Sequence, residues 1–174
     1  MNNLFDYQEN KKNPIGIMNL DFSTDLTPYV PVMDKIILDR VENRLGLNPN
    51  KLLDFAYQVS GMESDHNPMA RNPDSTAKGQ YQLTDATFIT AKNRLKRIMG
   101  ELPERIVNAE TVLDLSPDDQ RSLFLAHLTE DKGSDERMQS YLTGDNSGWD
   151  LYLHNHYKGD PTPNTLRRRK KYFP

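Results

Sequence analysis

The sequence predicts an all-α domain, because apolar residues recur at helical spacing and typical helix-starting residues precede them. Windows with apolar side chains at steps of three and four follow one another from residue 31 onward, which is the pattern of amphipathic helices. Strand patterning is limited to residues 80–83, so we expect at most a minimal strand element. The 174 residues suffice for one domain with a core and are few for two.

Residues 1–30 are predicted to form an extended N-terminal arm. They combine Asn, Lys, Pro and Asp with scattered apolar residues such as Leu4, Phe5 and Phe22, and they follow neither a helical nor a strand period. A segment of this composition cannot bury enough apolar surface to order itself. We interpret the apolar residues as anchors on a partner surface; packing on the arm's own domain and a flexible tail are the alternatives.

Two helices are predicted before the most informative stretch of the chain. The first runs from Pro31 to a stop at Gly46, with Asp34 off its apolar face. The second starts with Asn48 as N-cap and Pro49 in the first turn. Their apolar stripes consist of Val32, Ile36, Ile37, Val41 and Leu45 in the first helix and Leu52, Ala56 and Val59 in the second.

Later helices are predicted from local start signals. These signals lie at Thr84, Pro103, Ser116, Ser134 and Ser147. The helix after Thr84 is expected to end at Gly100, and the helix after Ser116 is apolar enough to be mostly buried. We assign residues 31–160 to the domain and residues 161–174 to a basic C-terminal tail.

The apolar stripe of the second helix points to Glu63. Steps of three and four from Val59 place this carboxylate at the end of a core-facing surface, unless Gly61 ends the helix early. Removing a carboxylate from water raises its pKa, because the charged form loses hydration. A raised pKa is what a general acid near neutral pH needs, so Glu63 is the candidate catalytic residue.

A polar cluster follows Glu63 after a loop rich in Asn, Pro, Asp and Ser. It consists of Gly79, Gln80, Tyr81 and Gln82. Gly79 allows close backbone approach, and the Gln and Tyr side chains offer donors and acceptors for hydroxyls and amides. This composition is typical of a sugar-binding cleft.

These residues also form recognisable motifs. They are Glu63-Ser64, Asn67-Pro68, Ser75-Thr76-Ala77-x-Gly79-x-Tyr81-Gln82 and Thr84-x-x-Thr87. Together they resemble the catalytic segment of lytic transglycosylases related to goose-type lysozyme, above all the type carried in bacteriophage virions. The resemblance is strong over residues 63–87, looser over 115–159 and absent from the first thirty residues. It implies a helical lysozyme-like fold and no cofactor.

The resemblance implies a mechanism with one carboxyl group. Protonated Glu63 would donate its proton to the oxygen between N-acetylmuramic acid and N-acetylglucosamine in peptidoglycan. The substrate's own N-acetyl oxygen would stabilise the oxocarbenium-like centre, which is a known exception to the two-carboxylate scheme. Glu63 would then take the proton of the muramic 6-hydroxyl as a 1,6-anhydro ring closes.

The resemblance assigns further residues to substrate binding. They are Ser64, Gly79, Tyr81, Gln82, Tyr152 and His156. Local capping is the alternative for Ser64, a surface amide for Gln82, and a core aromatic for Tyr81 and Tyr152. The family's histidine position fits only with one inserted residue, so His154 competes with His156 for it. His127 reads as a core histidine, and His66 is a weaker candidate for substrate contact.

Two other functions remain open. A hydrolytic muramidase would need a second carboxylate, and Asp65, Asp74 and Asp85 are the nearest in sequence. The first two have ordinary roles as loop caps, and the third as an acid in the first turn of a helix. The other alternative is a structural phage tail or ejection protein that keeps the fold with little activity.

Composition excludes several function classes. There is no cysteine, and the four histidines lack the spacing of metal ligands, so we predict no metal. A formal charge of −3 gives no global attraction to nucleic acid or membrane. The run of five cations at residues 167–171 does not by itself make a nucleic-acid protein, and contact with DNA, anionic lipid or an acidic subunit is left open.

The expected location follows from the substrate and the first residues. Residues 1–6 lack the basic and apolar regions of a signal peptide. Because peptidoglycan lies outside the inner membrane, we expect delivery by a phage particle, as a tail or internal component that acts in the host periplasm. Expected partners are the glycan strand, other virion subunits through residues 1–30, and further copies of this chain.

Overall fold

A computed structural model describes residues 30–156 and 161–173, with the side chain of His156 left out. These ranges are mainly helical, as the sequence predicts. They contain α1 (Val32–Leu45), α2 (Lys51–Ser64), α3 (Asp85–Met99), α4 (Glu104–Val107), a 3₁₀ turn (Val112–Asp114), α5 (Pro117–Thr129), α6 (Ser134–Thr143), α7 (Gly148–His156) and α8 (Pro163–Tyr172). Of the predicted arm at residues 1–30, residues 1–29 lie outside them.

Helix α5 lies at the centre of the core. It packs against α1, α2, α3 and α6, and its side chains Leu123, Phe124 and Leu125 are buried. Ser116 caps its start by accepting a hydrogen bond from the backbone N–H of Asp119, with Pro117 in the first turn. The predicted start and the predicted burial of this helix are both confirmed.

The buried face of helix α1 overlaps the predicted one only in part, since Ile37 and Val41 are buried as predicted. Val32 is 69% exposed, whereas Asp34, predicted off the apolar face, is fully buried. The carboxylate of Asp34 accepts hydrogen bonds from Arg121 at 2.6 Å and from Ser122 at 2.5 Å, both on α5. Burial raises the pKa of Asp34 despite these bonds. Hydrophobic periodicity does not predict this burial, because Asp34 is a charged residue that is buried together with its hydrogen-bond partners.

Helix α2 starts later than predicted and does not end at its glycine. It begins at Lys51, because Asn48 and Pro49 form the preceding turn. Gly61 stays inside the helix, which ends at Asp65 in a left-handed conformation with φ 54°. The Tyr172 ring occupies the space that a Cβ on Gly61 would take. The glycine therefore serves close helix packing rather than helix termination.

Residues 161–174, assigned from sequence to a tail, contain a helix that packs on the domain. Thr162 caps α8 by accepting from the N–H of Thr165, and α8 contacts α2. Phe173 is buried among aromatic rings that include Phe55 and Trp149. The domain boundary at residue 160 is therefore corrected, because α8 belongs to the same packed unit.

The predicted extended piece at residues 80–83 is a tight turn. Lys78 and Leu83 exchange backbone hydrogen bonds of 3.1 and 3.0 Å, and Lys78 also bridges Arg71. These isolated bridges are the strand-like element of the described ranges. Among the same residues, no helix is both long and apolar enough to cross a membrane.

Candidate active site

Glu63 lies in the last turn of α2, directly after a fully buried stripe. Leu52, Ala56 and Val59 have no exposed surface, and Glu63 itself is half-buried. Its Oε1 atom accepts a 2.7 Å hydrogen bond from the hydroxyl of Tyr152. The helical period therefore carries a carboxylate to the edge of the core, as the sequence predicts.

The environment of Glu63 favours the protonated form. Burial raises the pKa of the carboxyl group above its ordinary value, because a charged carboxylate loses hydration there. The Tyr152 hydrogen bond and the positive charge of Arg168 act in the opposite direction and leave a net increase. A carboxyl group with this balance can release a proton and take one back, as an acid that later acts as a base must do.

Tyr152 presents its hydroxyl to Glu63 from α7. Its ring is buried and packs on Trp149 at 5.4 Å and on Phe173 at 5.5 Å between ring centroids. Tyr152 therefore takes the core position that the sequence weighed and also contacts Glu63. Its contact with substrate stays a prediction. The buried ring fixes the direction of the hydroxyl, so the hydrogen bond to Glu63 needs little ordering.

Ser64 connects Glu63 to the polar cluster. Its hydroxyl lies 3.0 Å from the carbonyl oxygen of Gln80 and 3.2 Å from that of Ser60, and it accepts from the N–H of Asn67. These contacts join the end of α2 to the Gly79–Gln82 turn and to the following loop. Ser64 therefore positions the backbone around Glu63, and its predicted contact with substrate stays a prediction.

Gly79 is required by the turn and by Gln120. It adopts φ 75°, and a Cβ there would lie 2.5 Å from Oε1 of Gln120. That oxygen accepts from the N–H of Gln80 at 2.9 Å, while the Gln120 amide nitrogen donates to Pro68 and Leu115 carbonyls. The close approach predicted for Gly79 is thus made by a side chain of the protein itself.

Tyr81 and Gln82 differ in accessibility. The Tyr81 ring is 3% exposed and stacks on Phe124 with 4.4 Å between centroids, so it lies in the core. Its contact with substrate stays a prediction. Gln82 is half-buried with φ 49°, and its amide donates to the Gly79 carbonyl at 2.9 Å. Of the two, Gln82 is the better placed to meet a ligand.

A cavity of about 230 Å³ opens beside Gln82. Polar groups contribute much of its wall, from Gln82, Thr84, Thr87, His127, Asp131 and Asn155. Asn155 lies three residues after Tyr152 on α7, so α7 contributes both to this cavity and to the contact with Glu63. Glu63 is not among the lining residues.

His127 is only half-buried and lines this cavity, so the sequence interpretation of a core histidine is corrected. Burial and the nearby Arg94 cation lower the pKa of its imidazole.

His66 lines a second cavity, of about 260 Å³, together with Tyr57 and Ser60 of α2. Its ring stacks on Tyr57 at 4.2 Å, and its Nδ1 lies 3.1 Å from the Ser60 hydroxyl. Asp65, weighed as a loop cap, instead ends α2 and binds Arg168 and Lys171 of α8. The side chain of His156 lies outside the described residues.

No family model, curated protein or solved structure matches this chain. In residues 30–156 and 161–173, no group of three or more His, Asp or Glu side chains is placed to hold a metal ion.

Two residues at the site are absent from the sequence prediction. Gln120 is fully buried and holds the turn that contains Gly79. Arg168 donates to the backbone of α2 two residues before Glu63. Gln120 lies in a run without distinctive spacing, and Arg168 lies in a basic run of a kind that is usually solvated. A polar residue inside the predicted buried helix was the available signal for Gln120.

Proposed function

We propose that this chain is a peptidoglycan lytic transglycosylase, which cleaves the β-1,4 bond between N-acetylmuramic acid and N-acetylglucosamine and forms 1,6-anhydro-N-acetylmuramic acid. The observation that carries the proposal is the half-buried Glu63, whose pKa is raised by burial and whose Oε1 accepts from Tyr152. The proposal also uses the resemblance of residues 63–87 to the catalytic segment of that family.

Glu63 performs both proton transfers in the proposed reaction. The protonated carboxyl group donates to the bridging oxygen as its bond to C1 of the muramic sugar breaks. The N-acetyl oxygen of that sugar stabilises the cationic C1. The Glu63 carboxylate then removes the proton of the 6-hydroxyl, whose oxygen bonds to C1. No water is consumed, and the carboxyl group ends protonated again.

Tyr152 supports both proton transfers of this cycle. A hydroxyl that donates to a carboxylate stabilises the ionised form more than the neutral form. Its hydrogen bond therefore limits the increase in the Glu63 pKa that burial causes. In the proposed reaction Tyr152 helps Glu63 release its proton and holds the carboxylate where it can act as the base.

The cavity beside Gln82 is the proposed site for a neighbouring saccharide. Amide and hydroxyl groups of Gln82, Thr84, Thr87 and Asn155 line it, and such groups suit sugar hydroxyls and N-acetyl groups. Asn155 and Tyr152 are separated by about 4.5 Å of helix rise. Because α7 carries both residues, we propose that a glycan strand bound at Glu63 extends toward this cavity.

Two of the carboxylates weighed for a muramidase have other partners, since Asp65 binds α8 and Asp85 pairs with Lys78 at 3.0 Å. The preference for the transglycosylase over the hydrolytic muramidase rests on the resemblance of residues 63–87. From the resemblance, we further propose a phage virion as the setting and other virion subunits as partners.

Product analysis tests the proposed reaction. Purified peptidoglycan is digested with the full chain, and the released muropeptides are resolved by mass spectrometry. Products with 1,6-anhydro ends, lighter than reducing-end products by one water, support the transglycosylase. Reducing ends would make the protein a muramidase. A folded chain that releases nothing would favour the structural phage protein.

A further inference from the structure

Helix α8 contacts α2 on both sides of Glu63. The Arg168 Nη2 atom donates to the carbonyl oxygen of Gly61 at 2.7 Å and lies 3.3 Å from a carboxylate oxygen of Asp65. Gly61 precedes Glu63 by two residues, and Asp65 follows it by two. One guanidinium group therefore binds the backbone before Glu63 and the side chain after it.

Neighbouring residues of α8 reinforce this contact. The Lys171 ammonium lies 3.0 Å from Asp65, and the Tyr172 hydroxyl donates to the same carboxylate. These partners lower the pKa of Asp65 to about 2, so it stays ionised at neutral pH. The Tyr172 ring lies against Gly61, where any side chain would displace it. The α2–α8 contact (Gly61, Asp65, Arg168, Lys171, Tyr172) thus encloses the turn that carries Glu63.

Helix α2 lacks a cation of its own at this end. Its last turn contains no basic residue, although a positive charge near a helix C-terminus is favourable because the terminal carbonyls carry partial negative charge. Arg168 supplies that charge from another helix by binding the Gly61 carbonyl. Its side chain is 30% exposed, so solvent screens this charge only in part.

We propose that Arg168 is a positioning residue for Glu63. It holds the last turn of α2 in place and keeps a cation beside the carboxyl group during both proton transfers. The effect of Arg168 on catalysis rests on the proposed function. Its effects on the position and the pKa of Glu63 are properties of the folded chain alone. The groups that act on the Glu63 carboxyl group are Tyr152 on α7 and Arg168 on α8. Asp65, which follows α2, pairs with Arg168 and Lys171.

The electrostatic part of the proposal is tested on Glu63 directly. The full chain is labelled with ¹³C in its glutamate carboxyl groups, and the Glu63 signal is assigned by its loss in Glu63→Gln. Arg168→Gln should move the titration midpoint of Glu63 upward, because the nearby cation favours the ionised form. Arg167→Gln removes the same charge from an exposed position of α8 and should give a smaller change. Equal shifts in the two variants would overturn the proposal.

The geometric part is tested by amide exchange. The Asp65 N–H donates to the Gly61 carbonyl, which is the group that Arg168 binds. In Arg168→Lys the charge remains, but a single ammonium lacks the planar fork, so the Asp65 amide should exchange faster while the Glu63 midpoint stays near the wild-type value. Unchanged exchange would contradict the positioning role. This variant serves if Arg168→Gln fails to fold.

Steady-state kinetics on peptidoglycan distinguish a failure of this inference from a failure of the proposed function. On peptidoglycan, Arg168→Gln should lower kcat about 10- to 100-fold, as expected for a misplaced catalytic group, and leave KM nearly unchanged. The alkaline limit of activity should move to higher pH together with the Glu63 midpoint. If the wild type does not cleave peptidoglycan, the proposed function fails, and the carboxyl titration and the amide exchange still decide the role of Arg168.

Discussion

Tyr152 donates a 2.7 Å hydrogen bond to Glu63 across 89 residues of sequence. The bond connects the end of α2 to α7, and the buried ring of Tyr152 fixes the hydroxyl that makes it. Two opposing effects therefore act on the carboxyl group, since burial favours its neutral form and the hydroxyl favours its charged form. Variants of Tyr152 and Glu63 separate these two effects.

Removing the hydroxyl should move the pH dependence of activity upward. In Tyr152→Phe the buried ring stays, but Glu63 loses the donor that lowers its pKa. A general acid works only while protonated, so the alkaline limit of kcat should shift to higher pH and the maximal rate should fall about tenfold or more. Initial rates of glycan release between pH 4 and 9 measure both effects.

Tyr141→Phe is the matched control for Tyr152→Phe. The Tyr141 hydroxyl donates to the Lys51 carbonyl at the other end of α2, so its loss should leave the pH limit in place. Equal shifts in the two variants would mean that the hydrogen bond to Glu63 does not set the limit.

Glu63 should make folding stability depend on pH. Its pKa in the folded chain is raised, so the folded state binds more protons than the unfolded state between the two pKa values. Stability is then lost as pH rises from the ordinary glutamate value through the folded value. Glu63→Gln cannot ionise, so its Tm should exceed that of the wild type more at pH 8 than at pH 4. A Tm difference that does not change with pH would contradict the raised pKa.

Alanine variants of two glycines distinguish the cost of backbone strain from the cost of lost packing. Gly79 and Gly46 have φ of 75° and 66°, but only a Cβ on Gly79 would meet Gln120, whereas the space around Gly46 is open. Both alanine variants should lose about 1–2 kcal/mol from the left-handed backbone. Gly79→Ala should lose about 1–3 kcal/mol more, because Gln120 is displaced from buried partners. Urea denaturation measures the difference, and equal losses would contradict the packing role of Gly79.

Local signals in the sequence predict much of the helical fold. Thr84 and Ser116 cap α3 and α5 as predicted, because a cap depends on residues within one turn. The position of Glu63 was also predictable, since helical spacing from Val59 gives its direction. The predicted start of α2 at Asn48 is too early by about one turn, because the turn formed by Asn48 and Pro49 has the same sequence signals as the first turn of a helix.

Distant pairing explains what the sequence could not predict. Arg121 and Asp34 are 87 residues apart, and Arg168 and Gly61 are 107 apart. The residues next to each partner in sequence do not indicate the distant one. The sequence therefore places Asp34 off the apolar face and Arg168 in a solvated tail. The same applies to Gln120, whose amide binds the distant backbone of Pro68 and Gln80.

The rate of peptidoglycan cleavage by Glu63→Gln tests the central claim most directly. The amide has nearly the same shape and cannot supply an acidic proton, so release of soluble glycan should fall at least about 10²- to 10⁴-fold. Glu101→Gln, at an exposed position outside the site, should retain the wild-type rate, and both variants should stay folded. A Glu63→Gln variant that cleaves at the wild-type rate would contradict the assignment of Glu63 as the catalytic acid.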